Sequence, residues 1–221
     1  MRKLLPGLLA VALLVCVIPG AQAQQDSFFA GASSFDGSNN LNVDGNQYFN
    51  TDSGWFRNDG IHNAGNTNYI TGYCGPNDCG GFYYHGYFSF DLGRLTGADT
   101  ASFNVYSYLI QFDPGTYSIY GTSLSPSQVD SSLDYSDVTL YSALVSGPMI
   151  GSIFVTPSDS YSTVTVDLNA AGIAWLNAHA GEGAVIGADF NGTSPVPEPG
   201  SLALLGTGLV GVMGLVRRKL L

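Results

Sequence analysis

Charge is what this chain has least of: only 11% of its 221 residues are Asp, Glu, Lys or Arg. Seven residues are basic, and five of them, Arg2, Lys3, Arg217, Arg218 and Lys219, stand at the two ends. Arg57 and Arg94 alone serve everything between. Of the 17 acidic residues all but Glu198 fall between Gln24 and Val196, so that stretch carries a net charge of −14. Such a field repels nucleic acid and other polyanions, and two arginines cannot neutralise a phosphate backbone. Cysteine is scarce too, with only Cys16, Cys74 and Cys79 present. Three thiols do not build a disulfide scaffold. Signatures of catalysis are missing as well: there is no Gly-x-Ser-x-Gly elbow, no His-Glu-x-x-His helix and no phosphate-cradling glycine loop. His62, His85 and His179 form no triad by spacing, and nothing marks two of the carboxylates as a glycosidase pair. The expectation is a protein that is not an enzyme.

Long apolar runs are absent from the interior and occur only at the ends. Residues 1–23 have the grammar of a secretory signal peptide: Arg2 and Lys3, the apolar run from Leu4 to Ile18, and Ala21-Gln22-Ala23 at the cleavage point. Cys16 sits inside that run as apolar filler. At the other end, Ser201 to Val216 would span roughly 24 Å as a helix, short of the ~30 Å hydrocarbon core of a bilayer. Arg217, Arg218 and Lys219 belong on the cytoplasmic side, which puts everything before Ser201 outside the inner membrane. Gly206, Gly208, Gly211 and Gly214 dilute the run, and no two lie four apart as a helix-dimerisation face requires.

Pro197-Glu198-Pro199, the weak apolar span and the basic triplet together closely resemble the PEP-CTERM sorting signal. The resemblance implies a transmembrane sorting helix over 201–221, recognition by an exosortase and cleavage near the Pro-Glu-Pro handle. The protein would be held in the inner membrane transiently and then delivered to the cell surface or extracellular matrix. An ordinary single-pass anchor is the alternative.

What remains, residues 24–190 with a linker over 191–200, is long enough for one domain with its own core. Gly, Ser, Asn, Asp and Thr punctuate it while Tyr, Phe and Val fill the intervals, which is the pattern of an all-β sandwich. From Gln24 to Gly81 short strands and long loops are expected, with aromatic patches at Gln47–Asn50 and Gly54–Arg57. Strands are expected at Phe82–Phe90, Ala101–Ile110, Thr116–Tyr120, Asp137–Val145, Met149–Val155, Ser162–Leu168 and Ala184–Phe190. Strict alternation puts Val164, Val166 and Leu168 on one buried face. One short helix is expected near residues 169–180. Asn169 caps it, Ile173, Leu176 and Ala180 share a face, and Gly181 stops it. Trp175 flanks that stripe and should be core.

The order Asn68-Tyr69-Ile70, Phe88-Ser89-Phe90-Asp91-Leu92, Gly97 to Tyr106, a Val-Thr-Val strand, then Leu168-Asn169-Ala170-Ala171-Gly172 resembles a group of bacterial PEP-CTERM proteins without assigned activity. More distantly it is similar to jelly-roll modules, some of which bind carbohydrate. This implies a jelly-roll-like β-sandwich and transfers no binding residue.

Four candidate sites follow from the residues. Cys74 and Cys79 flank the turn-forming Gly75-Pro76-Asn77-Asp78, and the oxidising compartment favours a disulfide between them. Zinc held by these thiols with His85 and His62 is the alternative. The oxygen-rich stretch Asp36 to Asn46 could wrap calcium, but it lacks the regular alternation and terminal glutamate of an EF-hand, and a solvated turn-rich loop is the preferred reading. Tyr83, Tyr84, Tyr87, Tyr106 and Tyr108 are candidates for stacking on a glycan. The bland reading makes the same rings core and cross-strand pairs. The expected role is structural or adhesive within exopolysaccharide, with a glycan-binding module on the Tyr-rich strands as the alternative.

Overall fold

A computed structural model describes residues 27–32, 39–111 and 113–192. The signal peptide, the linker beyond Gly192, the sorting helix and the first part of the Asp36–Asn46 stretch lie outside these residues; the first two residues of the expected linker belong to the last strand. Among the described residues no helix is long and apolar enough to cross a membrane. In chain order the strands are β1 (Ser27–Ala32), β2 (Asn40–Val43), β3 (Asn46–Arg57), β4 (Ile61–His62), β5 (Asn68–Cys74), β6 (Phe82–Asp91) and β7 (Ala101–Ser107). There follow β8 (Leu109–Gln111), β9 (Gly115–Gly121), β10 (Tyr135–Ser136), β11 (Met149–Val155), β12 (Ser162–Asp167) and β13 (Gly183–Gly192). Two helices interrupt them, α1 (Val138–Ala143) and α2 (Ala170–Ala178).

Eleven strands hydrogen-bond into one antiparallel sheet whose main path runs β11-β9-β13-β6-β3-β2-β7-β12. Strand β5 branches from β6, β1 pairs with β5, and β8 pairs with β1. Strands β4 and β10 make a separate two-stranded ribbon. The length of β3 decides the shape. Its first four residues pair with β2, and from Asn50 onward, with a bulge between Asn50 and Asp52, it pairs with β6. A bulge adds local twist and bends its strand, so the sheet turns there. Phe88 of β6 and Phe103 of β7, which share no ladder, then meet with ring centroids 4.9 Å apart. The main core lies inside this bend, built from Phe29, Leu41, Phe88, Phe90, Phe103, Tyr117, Ile119, Val166 and Ile186 among others. Truncating one of these buried rings to Ala should cost about 3–5 kcal/mol.

Strand β6 is buried on both faces. Phe88 and Phe90 point into the main core, while Tyr87 joins Phe56, Val129, Leu144 and Val185 in a second cluster on the other side. Residues from the segment after β9, with α1, supply the cover for that side. Double burial removes the alternation that marks a one-sided strand, and it explains why aromatics crowd β6.

Several strands fall where the sequence places them: β9, β11, β12 and β13 match within two residues. Val164 and Val166 are buried as the alternation requires. Helix α2 is capped by Asn169, whose side chain accepts from the Gly172 amide at 3.0 Å, and Gly181 follows at φ +88°. Trp175 is core, with its indole N–H donated to the Thr122 carbonyl at 3.0 Å.

Three expectations need correction. The stretch 137–145 holds helix α1 (Val138–Ala143) and not a strand, so the described residues contain two α-helices and not one. The Asp137 carboxylate accepts from the Thr139 amide at 2.8 Å, an N-cap that competes successfully with the β-branched composition. Residues 101–110 do not form one strand. The ladder to β2 ends at Asn104 and that to β12 at Ser107, and β8 resumes on a different partner, β1. The segment 24–81 is not made only of short strands, because both aromatic patches belong to the 12-residue β3.

Candidate functional site

A concavity of ligand-site size opens where β1, β3, β5, β6 and the β7–β8 break converge. Its volume is about 480 Å³, within the ~300–1,000 Å³ of small-molecule sites. Trp55 of β3 and Tyr84 of β6 form its floor, with ring centroids 5.3 Å apart and planes at 76°. Both are largely buried in a satellite cluster with Phe28 and Cys74. Tyr108 supplies an exposed aromatic wall with 42% of its surface accessible. It stands there because the chain changes partners at this residue, its amide bonded to the Ala30 carbonyl at 2.9 Å. Asn66 and Asn68, at the entrance to β5, add amide side chains, the Asn66 oxygen accepting from the Asn68 amide at 3.2 Å.

No residue lining this groove carries a charge, although the surrounding domain is strongly acidic. Arg57, on the floor strand, is occupied elsewhere: its guanidinium makes a two-pronged ion pair with Asp59 at 2.8 and 2.6 Å and lies 3.9 Å from the Phe82 ring centroid. That pairing raises the Arg57 pKa and lowers that of Asp59. Burial pushes the Tyr84 phenol up, opposed by Arg57, so its hydroxyl stays protonated and donates to the Cys79 carbonyl at 3.3 Å. Trp55 and Tyr84 expose only 7% and 6% of their surface, so Tyr108 supplies the accessible aromatic face, and the rim offers amides.

Cys74 and Cys79 are joined in a disulfide, with Cα atoms 5.4 Å apart. Cys79 lines the groove, so the staple forms part of its wall. The thiols are therefore not available for zinc. His62 is buried with its ring nitrogens at the Trp55 and Ser131 carbonyls, 2.8 and 3.3 Å away. His85 stacks on Tyr141 at 3.9 Å and meets its carbonyl at 2.8 Å. Among the described residues no group of three His, Cys, Asp or Glu side chains is placed to hold a metal ion.

In the oxygen-rich stretch proposed for calcium, Asp44 and Gly45 make the β2–β3 hairpin turn at φ 48° and 83°, the left-handed pair such a two-residue turn needs. The Asp44 carboxylate accepts from the Asp99 and Thr100 amides, the latter at 2.8 Å, and these bonds lower its pKa. Structural work accounts for this residue. Two other clefts, of about 330 and 400 Å³, are polar; one is bordered by Asp44 and Arg94, the other by Asp52 and Asp130.

The five candidate tyrosines separate. Tyr84 and Tyr108 meet in the groove. Tyr83 pairs across strands with Tyr73, ring centroids 4.9 Å apart. Tyr106 is half-buried on β7, its carbonyl accepting from the Tyr69 hydroxyl. Tyr87 is fully buried in the second core cluster and presents no face to solvent. Sequence reasoning missed Trp55, Asn66 and Asn68 as groove residues. The Gly54–Arg57 patch held the only available signal, one of two tryptophans in the chain.

Residues 195–219 match the PEP-CTERM protein-sorting motif. The match spans Pro197, Glu198, Pro199, the apolar run and Arg217, Arg218 and Lys219. It bears out the resemblance of the tail to that sorting signal and marks the chain as an exported protein sorted by an exosortase. No curated protein matches this chain.

Proposed function

We propose that the exported domain is a structural and adhesive component of the cell surface or extracellular matrix that holds neutral glycan in the Trp55–Tyr84–Tyr108 groove. On this reading the bent sheet is a two-layer, jelly-roll-like sandwich. The inner membrane is a transient station, and the domain acts by binding and not by turnover. The observation that carries the proposal is an uncharged groove, floored by aromatic rings and rimmed by amides, on a domain of net charge −14. Pyranose rings present apolar C–H faces and a periphery of hydroxyls. Aromatic faces and amides complement those two features. An acidic polysaccharide would be repelled by the same domain.

The test is a glycan array probed with the oxidised, exported protein, with and without calcium. Binding to neutral glycans, weakened by Tyr108→Ala and Asn68→Ala, is the expected result. Silence across all neutral glycans would remove the binding reading and leave only a structural role.

A further inference from the structure

The groove has an aromatic extension that its own lining does not include. Tyr161, between β11 and β12, is 63% exposed and adopts φ +60°, a left-handed conformation that side chains other than glycine, Asn and Asp rarely take. Its ring lies edge-to-face with Tyr108, centroids 5.2 Å apart and planes at 74°. The loop holding it is tightly tied. The Asp159 carboxylate accepts from the Thr156 amide at 2.8 Å, and the Ser162 hydroxyl donates to the Asp159 carbonyl at 2.7 Å. The Ile110 amide, two residues beyond Tyr108, donates to the Ser160 hydroxyl at 2.9 Å. An exposed aromatic ring held in strained backbone by a well-bonded loop gains little stability from that placement. Such outliers gather at ligand clamps.

We propose that Tyr161 is a second stacking position, so that the site takes consecutive sugars of a neutral polysaccharide whose rings turn from one residue to the next. This rests on the glycan reading of the groove and specifies the polymer. A sugar on Tyr108 leaves the Tyr161 face to its neighbour, and the 74° between the two planes requires the neighbour's face to be rotated. A β-1,3-linked glucan curves in this way. A β-1,4-linked ribbon keeps its sugar faces nearly parallel and would satisfy one ring at a time.

The test measures the affinity of the exported, oxidised protein for laminari- and cello-oligosaccharides of one to six sugars, by calorimetry. Affinity should climb with length in the β-1,3 series and stay nearly flat in the β-1,4 series. Tyr161→Ala should cancel the climb, a loss of roughly five- to tenfold for the longer oligomers, while leaving the shortest binder and the melting temperature unchanged. Tyr161→Phe, which keeps the stacking face, should retain the climb. A flat β-1,3 series, a β-1,4 series that binds as well, or an unaffected Tyr161→Ala variant overturns the proposal and leaves the groove reading standing. No binding of any oligomer in either series overturns both.

Discussion

Reducing the Cys74–Cys79 bond separates a local staple from a foundation of the fold. The two half-cystines are five positions apart, so the bond closes a very short loop in the unfolded chain. Loop-closure entropy for such a ring is worth about 2 kcal/mol. For a domain of this size that is a fall of roughly 4–8 °C in melting temperature. The rest of the fold does not depend on the bond, because the main core has no member within residues 74–79. Loosening should be confined to the turn, where the Asp78 and Cys79 amides donate to the Gly75 carbonyl at 3.2 and 2.9 Å. Thermal melts with and without reductant give the first quantity. Hydrogen exchange read peptide by peptide gives the second: peptides over 74–81 should lose protection while those over Phe88–Phe90 keep it. A melting temperature that does not move on reduction would refute the loop-entropy argument. Loss of protection throughout β6 would refute the claim that the staple is local.

Two further outcomes follow from the tail and from His85. Replacing Pro197, Glu198 and Pro199 by Ala should leave the protein uncut in the membrane fraction, read by fractionation and mass; normal release would count against sorting through that handle. Burial lowers the His85 pKa, against the opposing effects of the Tyr141 carbonyl and of Asp189, whose carboxylate is 3.8 Å away. The folded domain therefore resists protonation that the unfolded chain accepts near pH ~6.5. Stability should be level above that pH and fall as pH drops below it, by at most ~1.4 kcal/mol per unit from this one group. Urea unfolding at pH 7.5 and 5.5 should show a smaller fall in His85→Gln than in the wild type, and equal falls would contradict the assignment.

What the sequence revealed of this fold depended on how many faces of each element are buried. Strand β12 has one buried face, with Val164 and Val166 inside and Thr163 and Thr165 outside, and its period-2 pattern is legible. Strand β6 has two, and its run of Tyr and Phe announces a strand without saying which ring serves which side. That is why the sequence presents Tyr87 and Tyr84, three residues apart, as one candidate surface although Tyr87 is sealed in the second cluster and Tyr84 lines the groove. Helix α1 reads as a strand in the sequence because Val138, Thr139 and Tyr141 favour strands by composition. The deciding features were an Asp137 cap and the burial of Leu144, one turn after Leu140. The tail, by contrast, is a linear signal whose three parts act in sequence order, so no tertiary structure was needed to recognise it.

The groove exists because of the one strand break that periodicity does not show. Residues 101–110 alternate well enough to suggest a single strand, yet no single strand could serve both neighbours it has. Through Ser107 it pairs with β12, whereas from Leu109 it pairs with β1, which is also tied to β5. Tyr108 is the residue at which the chain crosses between these ladders. Its ring is 42% exposed, lines the groove with Trp55 and Tyr84, and meets Tyr161 edge-to-face. Departures from local consistency concentrate where function is placed. Here the broken strand at Tyr108 and the strained backbone at Tyr161 fall side by side, on the uncharged rim of an otherwise acidic domain. On the proposed glycan reading these two departures supply the stacking rings, Tyr108 and Tyr161, whose edge-to-face contact brings them together.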